Sequence, residues 1–231
     1  MSMAQAAVQI ENLVFGYKPE QPVLNISDLS INRGERVFIH GPSGSGKTTL
    51  LGLLAGVLAA DNGRLEILGH NLTAMSGGKK DTFRGSHMGY IFQMFNLIPY
   101  LNVRENIVLP CRINRARHDR LQGRNVNEAA AELADHLGIA SFLEKDVTEL
   151  SVGQQQRVAA ARALIGGPEI IIADEPTSAL DTDHRQGFLK LLFESCEQNN
   201  ATLLFVSHDR GLAELFHRSI ALHEINRVIQ S

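Results

Sequence analysis

One run of eight residues constrains this chain more than any other: Gly41-Pro42-Ser43-Gly44-Ser45-Gly46-Lys47-Thr48. It fits the pattern of a phosphate-binding P-loop in full. The apolar stretch Arg36 to His40 leads into it and reads as a buried strand. Leu50, Leu51, Leu53, Leu54 and Leu58 follow at helical spacing, so Lys47 to Leu58 reads as a helix. Glycines let the backbone curl until its N–H groups converge on phosphate oxygens. The positive end of the following helix adds to that field. Lys47 can reach the outer phosphates of a bound nucleotide, and Thr48 can place its hydroxyl on Mg²⁺. Gly41, Ser43, Gly44, Ser45, Gly46 and Thr49 complete the cradle. A glycine-rich turn with a chance lysine is the plain alternative, and the flanking strand and helix weigh against it.

A second site lies further on. The apolar run Ile170 to Ala173 ends in Asp174-Glu175. A buried strand thus delivers two carboxylates to the end of a sheet, where open α/β folds bind their ligands. Asp174 would help to hold Mg²⁺, directly or through water, and Glu175 would orient or deprotonate an attacking water. An Asp-Glu pair after a strand is commonly a polar turn. The upstream P-loop favours the chemical reading. Pro176 then stops the strand.

Strand candidates are Val8 to Tyr17, Val23 to Ile31, Gly63 to Leu68, Met88 to Gln93 and Thr202 to Val206. The stretch Val103 to Ala140 is richer in charge and alanine and reads as a mainly helical insertion. Within it Ala130, Leu133, Ala134 and Leu137 share one helical face, with Asn127 and Gly138 as candidate caps. Strands alternating with helices argue for a largely parallel, helix-covered sheet of the α/β class.

Between the two sites lies Leu150-Ser151-Val152-Gly153-Gln154-Gln155-Gln156-Arg157. Ser151 and Gln154 have the spacing of a capping box, so a helix starts there and runs to Gly166-Gly167-Pro168. Its open N-terminus is a second anion site. An ordinary capped helix would look the same in isolation. Here the chain resembles an ABC (ATP-binding cassette) ATPase, whose signature motif this stretch is similar to. The resemblance covers Val8 to His223. Val152 stands where that family most often has glycine.

The resemblance implies a P-loop NTPase cassette, one domain over 1–231. Residues 1–92 and 166–231 would form a RecA-like core with an antiparallel β subdomain. Residues 93–165 would form a helical subdomain bearing the signature. It further implies that Tyr17 stacks on adenine, that Gln93 senses Mg²⁺ and that His208 contacts the γ-phosphate. Ser151, Gly153 and Gln154 would close on ATP held by a second copy of the chain, and Asp181 would sit in the loop crossing between the copies. ATP is the implied nucleotide, Mg²⁺ the cofactor, and a separate membrane permease the partner. The apolar segment Phe95 to Leu101 would form the permease groove as well as pack the subdomain.

Composition narrows the partners. A net charge of −3 gives no global basic field, so no nucleic-acid partner is expected. Arg112, Arg115, Arg117, Arg120 and Arg124 form a local exception, read as a solvated face, with anionic lipid or an acidic loop as the sharper alternative. Cys111 and Cys196 show no metal or redox spacing, which fits a reducing compartment. No signal peptide is read at Met1 to Gln9, and no apolar run approaches the roughly 18 residues of a membrane span. The expected place is peripheral, on the cytoplasmic face of a bacterial inner membrane. The runs Gly89 to Pro99 and Glu105 to Pro110 are similar to the macrolide-export and lipoprotein-release branch. Asp174 to Asp181, with Ser178-Ala179, looks more like polar amino-acid importers. A soluble ABC ATPase is the third reading.

Overall fold

The computed structural model describes residues 5–18, 20–178 and 182–230. The chain forms two compact units, one of residues 1–84 with 202–231 and the other of residues 85–201. The first unit opens with strands β1 (Ala6–Phe15), β2 (Leu24–Asn32) and β3 (Arg36–His40), then helix α1 (Lys47–Leu54), then β4 (Asn62–Ile67) and β5 (His70–Asn71). Helix α2 (Gly77–His87) carries the chain onward. The second unit holds β6 (Met88–Ile91), α3 (Val103–Ile113), α4 (Arg115–Asp119), α5 (Val126–His136), α6 (Val152–Leu164), β7 (Ile170–Asp174) and α7 (Thr182–Gln198). The chain then returns to the first unit with β8 (Thr202–Val206), β9 (Arg218–Ala221) and α8 (Leu222–Ile225).

In the first unit β1 is the hinge of an antiparallel sheet ordered β2-β1-β4-β5. Its buried Val8, Ile10, Leu13 and Phe15 alternate with Gln9, Glu11 and Val14 except at a break near Asn12, where the register with β4 shifts. Such alternation is what a half-buried antiparallel sheet requires. A separate parallel group sets β3 between β8 and β9, with Val37 opposite Leu204 and Arg218. Every residue of β8 is buried, as are Val37, Phe38 and Ile39 of β3. Continuous apolar runs of this kind mark strands covered on both faces. Phe38, Phe205 and Phe216 meet there with ring centroids 5.1–6.2 Å apart. Each fully buried phenylalanine contributes about 1.5–3 kcal/mol of transfer free energy, so this cluster fixes the strand from which the phosphate loop departs.

In the second unit β6 and β7 run parallel, Met88 opposite Ile170. Helix α3 starts at a full capping box of Asn102 and Glu105. Helix α5 is capped at its start by Asn125, whose side chain accepts from the Asn127 amide, so the cap lies two residues earlier than expected. Its end is a Schellman turn: Gly138 is left-handed (φ 69), its amide donates to Asp135, and that of Ile139 to Ala134. Helix α1 stops at Leu54, short of the expected Leu58, because Gly56 turns left-handed (φ 68). Leu58 instead folds back against Gly52.

The arginine run is not one solvated face. Arg112 and Arg115 are exposed, but Arg117 is buried and donates to the Ala163 carbonyl at 3.1 Å. Burial pushes the Arg117 guanidinium down to about 10. Arg120 pairs with Glu169 at 3.0 Å, and Arg124 with Glu132 at 3.2 Å. Among the described residues no helix is long and apolar enough to cross a membrane.

Candidate active site

The phosphate loop leaves the carboxyl end of β3 and returns into α1. Its shape depends on Gly44 and Gly46, both left-handed at φ 78 and 96. A side chain on Gly46 would strike Leu24 at 2.9 Å, whereas one on Gly44 would meet nothing within 4 Å, so the open side of the loop lies at Gly44. Helix α1 has no side-chain cap and no acidic residue in its first turn. Its leading amides, from Gly46 to Thr49, are therefore left for an incoming acceptor. Ser43 and Thr48 are exposed, while Ser45 and Thr49 are buried. The Lys47 ammonium lies back on the loop, donating to the Gly41 carbonyl at 2.8 Å and the Pro42 carbonyl at 3.1 Å. Both acceptors are neutral carbonyls, so the cation is held in place without its charge being cancelled.

Tyr17 sits on the turn that leaves β1. Gly16 is required there, because a side chain would meet the Gln21 carbonyl at 2.5 Å. The Gly16 amide donates to Asp61 at 2.8 Å, which ties the turn down. The Tyr17 ring packs edge-on to Phe15 at 5.0 Å and yet remains 65% exposed, with a face free for stacking. Its hydroxyl lies 3.2 Å from the Thr49 hydroxyl on α1. Tyr17, which the family resemblance places on the base, and Thr49, which the loop pattern places at the phosphates, are thus in direct contact. His208 follows β8 and is exposed, next to Ser207, which is buried and donates its amide to the Ile39 carbonyl at 3.2 Å.

His40, the last residue of β3, was not singled out by sequence. Its Nδ1 is buried and has no hydrogen-bond partner among the described residues. Burial first, then the charges of Arg210 and His223, hold its pKa below the ordinary histidine value, against a smaller upward pull from Glu224.

The second unit carries the other candidates. Asp174 ends β7 and is half-buried, as is Glu175. Glu175 is left-handed at φ 48, and its carbonyl accepts from the Ser178 amide at 3.2 Å. A non-glycine residue in that region carries strain that the surrounding structure must sustain. Gln156, fully buried on α6, donates to the Pro176 carbonyl at 2.8 Å and so fixes the turn beyond Glu175. Tyr90 on β6 has its hydroxyl pKa raised, by burial and then by Asp174. Gln93 lies just past the end of β6 and is exposed.

Helix α6 begins as its sequence predicts. Ser151 accepts from the Gln154 amide at 3.4 Å and Gln154 returns to the Ser151 amide at 2.9 Å. In front of it lies a cleft of about 290 Å³ whose walls include Ser151, Gly153, Gln154, Arg157 and Phe142. Val152 is 47% exposed on the first turn and takes no part in the box. Asp181 lies outside the described residues.

Asn106 is another residue that patterning missed. It is fully buried on α3, and its amide nitrogen donates to the carbonyls of Ile98, Leu101 and Asn102 at 3.0–3.1 Å. Its oxygen accepts from the Ile98 amide at 2.8 Å. One side chain therefore holds the segment that leaves Tyr100 82% exposed.

A model of the ABC transporter family matches residues 24–178. The lipoprotein-releasing system ATP-binding protein LolD of Hydrogenovibrio crunogenus is 35% identical over 232 residues, covering 99% of each chain. The bacitracin export ATP-binding protein BceA of Halalkalibacterium halodurans is 39% identical over 205 residues, covering 89% of this chain and 79% of its own. Among solved structures, the dimeric ABC transporter cassette MJ0796 superimposes with a TM-score of 0.80 at 32% identity over 93% of both chains. Its post-hydrolysis state, bound to ADP and Pi, gives 0.81 at 33% over the same share.

Proposed function

This chain belongs to the ABC transporter family as an ATP-binding, ATP-hydrolysing subunit, and from that premise we propose that it energises a separate membrane permease of the export and release type. The observation that carries the reading is the presence in one chain of two prepared anion sites, the uncapped start of α1 and the capped start of α6. One chain would use the first on its own ATP and lend the second to ATP held by another copy.

The residues present fit both groups. The cradle offers backbone amides and Lys47 to a triphosphate. Thr48, Asp174 and Gln93 are hard oxygen donors of the kind Mg²⁺ takes. Bound Mg²⁺ would neutralise charge on the outer phosphates. Lys47 would exchange two loop carbonyls for phosphate oxygens. Tyr17 would stack on the adenine, releasing the Thr49 hydroxyl to the phosphates. Glu175 would orient a water and take its proton onto the carboxylate as the water attacks the γ-phosphorus, whose bond to the β–γ bridging oxygen breaks so that ADP and phosphate leave. His208 would contact the γ-phosphate. Ser151, Gly153 and Gln154 would complete the pocket from the second copy, with Asp181 between the copies. Loss of the γ-phosphate contacts would then loosen the pair. In this reading 93–165 is the helical subdomain, the chain is peripheral to the cytoplasmic face of a bacterial inner membrane, and nucleic acid is not a partner.

The names of the relatives, a lipoprotein-releasing system and a bacitracin exporter, favour the export and release branch. The run around Ser178 favours an importer, but it is short. The test is capture of the tagged chain from detergent-solubilised membranes with mass spectrometry of what it retains. A permease with few spans and a large extracytoplasmic part is the expected partner. A compact importer-type permease would replace the branch, and no membrane protein at all would overturn the permease proposal.

A further inference from the structure

Arg162 lies on α6, eleven residues after Ser151, which at 1.5 Å per residue is about 16 Å along the helix. Its guanidinium reaches the segment that follows β6. Nη2 donates to the Phe95 carbonyl at 2.6 Å and Nη1 to the Asn96 carbonyl at 2.7 Å. Phe95 and Asn96 are both left-handed, φ 58 and 48, and neither is glycine. Two successive residues of that kind are individually unfavourable. They also turn neighbouring carbonyls to the same side, which suits the planar two-pronged donor of arginine. The turn is closed locally by the Phe95 amide on the Phe92 carbonyl at 2.9 Å. The Phe95 ring is buried, at 7% exposure, whereas Met94 is 81% and Phe92 37% exposed. Gln93 is exposed between them. The far end of the segment is held separately, by Asn106.

We propose that Arg162 is a positioning residue that makes the segment 92–98 move with helix α6, so that the signature helix sets the place of Gln93 and of the apolar side chains Phe92 and Met94. The inference rests on the reading above in giving Gln93 a role at Mg²⁺ and in bringing nucleotide to Ser151; the two hydrogen bonds of Arg162 stand without it. A nucleotide that closes on Ser151 shifts the start of α6. A helix is stiff over this length, and Arg162 passes the shift to the 92–98 turn through two charge-assisted hydrogen bonds. The same residue in a purely structural role would add stability without linking the two ends.

The test uses the full chain carrying Arg162→Gln and, as the conservative variant that keeps the charge but not the rigid planar fork, Arg162→Lys. The first readout is amide hydrogen exchange with and without ATP in the Glu175→Gln background. In the parent, amides of 152–155 and of 94–98 slow together on adding ATP. In Arg162→Gln the first group slows and the second does not, with Arg162→Lys intermediate. The second readout is the Mg²⁺ dependence of ATP hydrolysis in the otherwise native chain. Half-saturating Mg²⁺ rises by about ten-fold in Arg162→Gln while the rate at saturating Mg²⁺ stays within about two-fold, the cost of losing a charge-assisted pair. If both variants fold and 94–98 still slows with ATP as in the parent, the joint is overturned. If 94–98 is uncoupled but the Mg²⁺ curve is unchanged, and Gln93→Ala leaves it unchanged too, the joint stands and the role of Gln93 falls.

Discussion

Lys47 illustrates how a single side chain can be prepared for a ligand without being bound to one. Its two hydrogen bonds go to neutral carbonyls of its own loop, so it exchanges them for phosphate oxygens with a net gain in charge pairing. Lys47→Ala removes a charge-assisted contact of about 1.5–3 kcal/mol, so ATP affinity measured by calorimetry should fall roughly 10- to 100-fold. Unchanged affinity would count against the cradle. His40, one residue before the loop, makes a prediction of opposite kind. Its pKa is lowered in the fold, by burial, Arg210 and His223. A group whose folded pKa is depressed gives its full contribution above its unfolded pKa, here the ordinary 6.5, and loses it as pH falls through the folded value. Thermal stability should therefore drop as the buffer is taken downward through pH 6.5, and His40→Val should flatten that part of the profile. A variant with the same slope as the parent would place the pH dependence elsewhere.

Helix α6 shows what could be read in advance and what could not. Its start and end were legible because the capping box and the Gly166-Gly167 stop are local, written within a few residues of each boundary. The phosphate loop was legible for the same reason. The contacts that give these elements their positions are between side chains far apart in sequence: Tyr17 with Thr49, Gln156 with Pro176, Arg162 with Phe95 and Asn96. No spacing rule encodes them. The cap of α5 was misplaced because asparagine at 125 and at 127 are equally good acceptors, and only the start of the helix at Val126 decides between them. The arginine run misled for a related reason, since charge pattern cannot distinguish Arg117, which is buried against the Ala163 carbonyl, from Arg115, which is exposed. At the start of α6 the two roles of Ser151 can be separated. Aspartate caps as well as serine, so Ser151→Asp should leave chemical unfolding within about 0.5 kcal/mol of the parent. The added negative charge at the helix start should nonetheless repel a triphosphate and abolish ATP-driven pairing. Pairing that survives would show that the capped end does not face nucleotide.

For the whole molecule the proposed sandwich makes hydrolysis and association one process. A chain that cleaves ATP destroys the contacts that hold its partner, so the pair should not accumulate in the native protein. The Glu175 carboxylate is the group proposed to take the proton from water. Replacing it by an amide keeps its size and removes its basicity. Glu175→Gln should therefore bind ATP as the parent does, turn it over at least about 100-fold more slowly, and collect as a stable pair. Light scattering after size exclusion should give twice the 25.3 kDa of one chain with ATP and a single chain without it. Combining Glu175→Gln with Ser151→Asp should return the mass to one chain even with ATP present, because each nucleotide would then lack its second wall. That double variant separates the two ways the proposal could fail. If Glu175→Gln hydrolyses at the parent rate, the proton acceptor is another group. If it is inactive but never pairs, the cradle and the signature face serve separate ends, and the shared nucleotide has to be given up.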